Sequence, residues 1–170
     1  MKNVILEKIE QGDLGHFRGA DIPMDIPISQ ALLNEQLREL LGETLQELVL
    51  SLHDNNIVYL TLAARVPVAG LVRRRLRMKM EGGMDGSGNS LLIFHFLDGL
   101  KMLDRQLIGF FQKKIAEALP DGVRLGKEGC AVDLKVMMAA SGYGHLLPAV
   151  RKLLPATETG KLRLRMHVQV

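Results

Sequence analysis

Two periodicities organise the chain. Leu48, Leu50 and Leu52 alternate with Glu47, Val49, Ser51 and His53, and beyond Asp54-Asn55-Asn56 a second run alternates Val58, Leu60, Leu62, Ala64 and Val66 with Tyr59, Thr61 and Arg65. A period of two marks a strand with one buried face, and asparagine tolerates the positive φ of a tight turn, so the segment predicts a β-hairpin. Past Pro67 and Gly70, Leu76, Met78 and Met80 interleave with Arg73, Arg75, Arg77, Lys79 and Glu81 as a third strand. A glycine-rich connection over 82–89 leads to a fourth strand over 91–97, apolar on both faces except at its ends and at His95. Four consecutive strands predict an antiparallel meander. Val132, Leu134, Val136 and Met138 alternate with Asp133 and Lys135 as a further strand, and Leu162, Leu164, Met166, Val168 and Val170 alternate with Lys161, Arg163, Arg165, His167 and Gln169 as a last one that finishes the sheet.

The helical period appears elsewhere. Ser29 suits an N-cap for a helix through about Leu41, with Leu33, Leu37, Leu40 and Leu41 on one stripe and Gly42 as the stop. Leu103, Leu107, Phe110, Phe111, Ile115, Ala118 and Leu119 recur at spacings of three and four, which predicts the longest helix over about 100–119, ended by Pro120-Asp121-Gly122. A short helix is expected near Pro148. Residues 1–27 read as an irregular lead-in whose Ile22, Met24 and Ile26 run along an edge, and 28–170 as a single α+β domain. The fold expected is a highly curved antiparallel meander wrapped around the long apolar helix, with an N-terminal helix and a short C-terminal one.

Composition narrows the class. With 170 residues, 47% apolar and 24% charged, the chain can build a sizeable core, and disorder is excluded. No apolar run approaches the roughly 18 residues of a membrane span, and the opening Met1-Lys2-Asn3-Val4-Ile5-Leu6-Glu7-Lys8 lacks the apolar stretch of a signal peptide. The lone Cys130 excludes an internal disulfide, so a cytoplasmic location with peripheral membrane association is expected. The net charge of +3 hides a division: residues 1–64 carry 4 basic and 10 acidic side chains, residues 65–170 carry 18 and 9. The first segment is strongly acidic and the second strongly basic.

That division directs attention to two basic rows, Arg73, Arg75, Arg77 and Lys79 on one strand face and Lys161, Arg163, Arg165 and His167 on another. Each makes a positive ridge of about 20 Å at roughly 3.3 Å per residue. On neighbouring strands they would merge into a patch for phosphates of lipid headgroups or nucleic acid. The plainer use is a solvated face or a guarded sheet edge. Nucleic acid fits less well than lipid, because aromatics are 4% with no Trp, few stacking platforms accompany the basic residues, and no helix carries a basic recognition face. Nine methionines suit either a forgiving core or a pocket for alkyl chains.

Catalysis has little to stand on. The five histidines, His16, His53, His95, His145 and His167, lack metal-ligand spacing, and one cysteine cannot build a thiolate zinc site, so no metal or cofactor is expected. Cys130 reads as a small buried thiol and His95 as a core or cavity histidine; they are the only positions an enzyme reading would test. The loop 82–89 lacks the Gly-Lys-Ser/Thr end of a phosphate loop, and Ser141-Gly142-Tyr143-Gly144-His145 lacks the frame of a nucleophile elbow.

The element order, opened by Ile26-Pro27-Ile28-Ser29-Gln30-Ala31-Leu32-Leu33-Asn34, resembles the tubular lipid-binding (TULIP) superfamily and its small bacterial members. The resemblance implies a curved sheet around a long helix, with lipid acyl chains held between them. The implied groove is lined by Leu76, Met78, Met80, Val132, Leu134, Val136 and Met138, with Leu107, Phe110, Phe111 and Ile115 of the helix. The rows Arg73, Arg75, Arg77, Lys79 and Lys161, Arg163, Arg165 would then face an anionic membrane. The function expected is a non-enzymatic lipid, fatty-acid or apolar-ligand binding protein able to dock on anionic membranes. The alternatives are a structural or interaction domain with a filled core, and a phosphate-backbone binder.

Overall fold

The predicted hairpin opens the larger of two sheets. β2 (Leu45–His53) and β3 (Ile57–Val66) pair antiparallel with His53 opposite Ile57, and Asn55 and Asn56 adopt φ of 60° and 61° at the turn. A side-chain amide that can bond to nearby backbone makes asparagine the non-glycine residue best suited to that left-handed conformation. β4 (Gly70–Gly82) and β5 (Leu91–Phe96) extend the meander, and β7 (Gly129–Asp133) and the short β6 (Val123–Leu125) complete a six-stranded antiparallel sheet ordered β2-β3-β4-β5-β7-β6, curled as a half-barrel. These elements come from a computed structural model that describes residues 8, 11, 13–39, 41–43, 45–66, 70–98, 109, 121–126 and 128–170.

The second sheet is built from the two ends of the chain. β1 (Asp21–Ser29) and β8 (Val150–Glu158) flank the central β9 (Lys161–Gln169), and β1 pairs with β9 along its whole length, from Asp21 opposite Gln169 to Ser29 opposite Lys161. The Val170 amide donates to the Ala20 carbonyl at 3.1 Å. By the alternation of an antiparallel ladder, the odd-numbered residues of β1 therefore turn their backbone groups away from β9. Pro23 and Pro27 occupy two of those outward positions, so neither costs the ladder a donor. Pro155 does the same on β8, two residues beyond Leu153, whose amide and carbonyl bond Met84 rather than β9 at 2.8 Å each.

The two sheets share one core. Leu52, Val58, Met78, Met80 and Leu92 of the larger sheet and Val150 and Leu153 of the smaller are buried in a single cluster, with Leu162, Leu164, Met166 and Val168 of β9 packed against it. The Thr157 amide donates to Asn56 Oδ1 at 2.9 Å and its hydroxyl to the His53 carbonyl, which ties β8 to the hairpin turn. The free edge of β2 is closed by helix α1 (Gln30–Arg38). Asn34 donates from Nδ2 to the Leu50 carbonyl at 2.9 Å and accepts the Leu50 amide on Oδ1 at 2.7 Å, while Gln30 accepts the Leu52 amide at 2.7 Å. Side chains thus satisfy strand groups that another chain could otherwise pair with. Ser29 caps α1 through the Leu32 amide, as its position suggests.

Four expectations are corrected. The fold is mostly β, with 56% of the described residues in strands and 18% helical, and not an α+β sheet wrapped on a long apolar helix with a helix at its N-terminal end. The last strand does not finish the meander; β9 is the centre of a separate sheet because its inward Leu and Met residues face the shared core from the other side. The alternation over 132–138 is not one strand. Asp133 accepts the Lys135 and Val136 amides at 3.1 and 3.3 Å, ending β7 and starting helix α2 (Leu134–Ala140). Near Pro148 the chain enters β8 rather than a helix. Of the predicted helix over 100–119, all but Gly109 lies outside the described residues.

Candidate functional site

Alternation along β4 decides which side chains reach solvent. Met78 and Met80 point into the core, and Arg73, Arg75, Arg77 and Lys79 project from the opposite side, all exposed. The register sets their neighbours on β3: Ala63 opposite Arg73, Thr61 opposite Arg75, Tyr59 opposite Arg77 and Ile57 opposite Lys79, with Arg65 opposite Leu71 one step on. The outer face of β3 and β4 therefore carries five cations, and the exposed Leu71 lies among them.

Their surroundings differ. Glu47 Oε1 lies 2.7 Å from Arg73, and Glu81 Oε1 lies 2.8 Å from Lys79. The hydrogen bond and charge of Lys79 hold the Glu81 carboxyl below its ordinary range. The Arg75 guanidinium stacks on Tyr59 at 4.2 Å, and His53 meets the same ring edge-on at a centroid distance of 5.0 Å. Arg65 and Arg77 have no hydrogen-bond or ionic partner among the described residues. Two acids thus answer five cations, and the face keeps a positive surplus.

The second row behaves otherwise. Arg163 sits between two carboxylates, with Asp25 Oδ2 2.9 Å from Nη1 and Glu158 Oε1 2.7 Å from Nε. The Glu158 oxygen is close but off the line of the Nε–H, which makes no hydrogen bond, so that contact is Coulombic. Asp25 first and Glu158 second raise the Arg163 pKa further above its already high ordinary value. His167 pairs with Asp21. Lys161 and Arg165 are the exposed members of this row. Two of the ten acids of residues 1–64, Asp21 and Asp25, are thus brought against the basic end of the chain within the β1–β9 pair. The two basic rows lie in different sheets and do not merge through neighbouring strands.

Most of the described residues expected to line an acyl groove come together in one apolar cluster, to which Met78, Met80 and Leu134 belong and against which Val132 and Met138 pack. Met78, Met80 and Leu134 are buried in the shared core, at 5%, 2% and 4% exposure, and Val132 is half-buried beside it, whereas Leu76 is half-buried against a second cluster of Leu45, Leu62 and Ala64. Met138 is half-buried on α2, and Val136 turns outward there with 42% exposure because the helix interrupts the strand. Leu107, Phe110, Phe111 and Ile115 lie outside the described residues. His95 is not a core histidine: its side chain stands on the outer face beside Lys79, with Nε2 3.9 Å from Glu81. Cys130, opposite Phe94, belongs to the other face of the sheet, and burial raises its thiol pKa. The two do not form a nucleophile–base pair. Among the described residues no cluster of His, Cys, Asp or Glu could hold a metal ion, and no helix is long and apolar enough to cross a membrane.

Sequence reasoning passed over Arg74. It shares the inward side of β4 with Val72 and Leu76, opposite Leu62, is half-buried, and donates from Nη1 to the Arg73 carbonyl at 2.9 Å. The signal was present, since three consecutive arginines in a strand must place one on the side opposite the other two. Comparison with protein families, with curated proteins and with solved structures finds no match.

Proposed function

We propose that the chain is a non-enzymatic binding protein that docks on anionic membranes through the outer face of β3 and β4. The observation that carries this reading is the unbroken row Arg73, Arg75, Arg77 and Lys79, extended by Arg65, which among the described residues only Glu47 and Glu81 answer. Each cation near an anionic leaflet contributes about 1 kcal/mol. Counting only Arg65, Arg75 and Arg77, docking is worth about 3 kcal/mol, or roughly a hundredfold in partitioning. The exposed Leu71 adds a small apolar contact of the kind an interface accepts.

Lipid is favoured over nucleic acid on the same face. Its aromatic side chain, Tyr59, already carries the Arg75 guanidinium on its ring, which leaves little for base stacking. The ligand class is the one that the resemblance to the tubular lipid-binding superfamily implies, carried by an exterior surface. Co-sedimentation with phosphatidylserine-containing vesicles and with pure phosphatidylcholine vesicles tests the reading. Binding to the first alone, lost at high salt and in Arg75→Glu/Arg77→Glu, is expected. Equal binding to both vesicle types, or tighter retention of RNA than of vesicles, would refute it.

A further inference from the structure

The outer face of the three-stranded sheet holds a groove of about 450 Å3, within the range of small-ligand sites. Two adjacent cross-strand rows form it: Pro23, His167 and Lys152 in one, Asp25, Arg165 and Leu154 in the next. Met24 and Met166, which face the opposite side of the sheet, complete its lining, and Pro23 and Leu154 supply apolar surface beside the charged side chains.

The distribution of partners fixes the sign of what the groove can take. Asp25 is held by Arg163, which Glu158 also contacts, and Asp21 is held by His167. Asp25 and Asp21 thereby already have side-chain partners, Arg163 and His167, of which Arg163 lies outside the groove lining. Lys152 and Arg165, both exposed, are left without a hydrogen-bond or ionic partner among the described residues. They stand diagonally across β8 and β9, since Lys152 is opposite His167 and Leu154 is opposite Arg165. Diagonal neighbours on adjacent strands are about 7–8 Å apart at the backbone, a span two long side chains can close on one anion.

We propose that this groove binds an anionic amphiphile, with a carboxylate or phosphate-ester head between Lys152 and Arg165 and a short apolar tail along Leu154 and Pro23. The arginine fork supplies two parallel donors to such a head and the lysine a third, while the apolar wall distinguishes the ligand from a bare anion. The site lies on the smaller sheet, away from β4, and does not depend on membrane docking.

The test is titration of the 15N-labelled full chain with decanoate and with decyl phosphate below their micelle concentrations, with decanol and inorganic phosphate as controls. Saturable shifts clustered at residues 24–25, 152–154 and 165–167 are expected with either head, and the tighter of the two identifies the source. Arg165→Gln and Lys152→Gln should each weaken binding about tenfold, as loss of a charge-assisted hydrogen bond does, while Arg77→Gln leaves it unchanged. Both changes are at exposed positions and keep an unbranched side chain, so a matching thermal midpoint checks the fold. Absence of saturable shifts, decanol binding as tightly as decanoate, inorganic phosphate binding as tightly as decyl phosphate, or equal losses in Arg77→Gln and Arg165→Gln would each overturn the proposal.

Discussion

The Arg75 guanidinium lies 4.2 Å from the centroid of the Tyr59 ring, reaching diagonally across the β3–β4 pair on the outer face. An exposed cation–π contact is worth about 0.5–1 kcal/mol, and His53 packs on the same ring. Tyr59→Leu should therefore cost about 1 kcal/mol of stability in urea unfolding. It should leave binding to phosphatidylserine vesicles within about twofold, because the charge of Arg75 persists and the membrane responds to charge rather than to the stack. A large loss of binding with little loss of stability would assign the tyrosine to the ligand instead.

Asn34 serves two backbone groups of one strand residue, the amide and carbonyl of Leu50. Removing the side chain leaves both part-buried groups without that partner and uncovers the β2 edge. Asn34→Ala is expected to lower stability by about 1–3 kcal/mol and to raise concentration-dependent light scattering. Leu32→Ala, at a position 51% exposed on the same helix, should change stability by no more than about 0.5 kcal/mol. Similar behaviour of the two variants would mean that the edge is guarded by something other than Asn34.

Asp133 links acidity to the start of α2. Burial alone would raise its carboxyl pKa, but the Ser90 hydroxyl, the Val136 and Lys135 amides and the charge of Arg124 together outweigh that and hold it below the ordinary value. A carboxyl depressed in the folded state contributes stability that is complete above its unfolded value of about 3.9 and is lost as pH falls through the folded value. Asp133→Ala should thus cost about 1 kcal/mol near neutrality. Urea midpoints of wild type and variant should converge on acidification below about pH 4. A gap that does not narrow would show that the cap does not act through its charge.

Much of the larger sheet is readable in the sequence because β4 has one dry and one wet face and the hairpin strands beside it alternate in the same way. The Asn55-Asn56 turn, the alternation along β2 to β4 and the Ser29 cap are local features with local causes. Residues 132–138 mislead because alternation over so few positions does not separate strand from helix. The deciding signals were Asp133 as a cap and Gly142, at φ 84°, as a stop two residues past α2. Long-range pairing could not be read at all. That β1 lies on β9, and hence that Asp25 neutralises Arg163 across 138 positions, depends on which strands the core brings together. For that reason two basic rows that look equivalent in sequence differ in the structure: the face of Arg73 to Lys79 holds more cations than acids, whereas in the other row Arg163 sits between two carboxylates and His167 on a third, and Lys161 and Arg165 stay exposed.

Orientation on the membrane tests the central claim most directly. The 15N-labelled protein would be bound to phosphatidylserine-containing nanodiscs that carry spin-labelled headgroups, and amide broadening mapped residue by residue. The account predicts broadening concentrated at Tyr59, Arg65 and along 71–79, with the β9 residues Lys161 to Gln169 little affected. Broadening centred on β1 and β9, or spread evenly over both sheets, would contradict it.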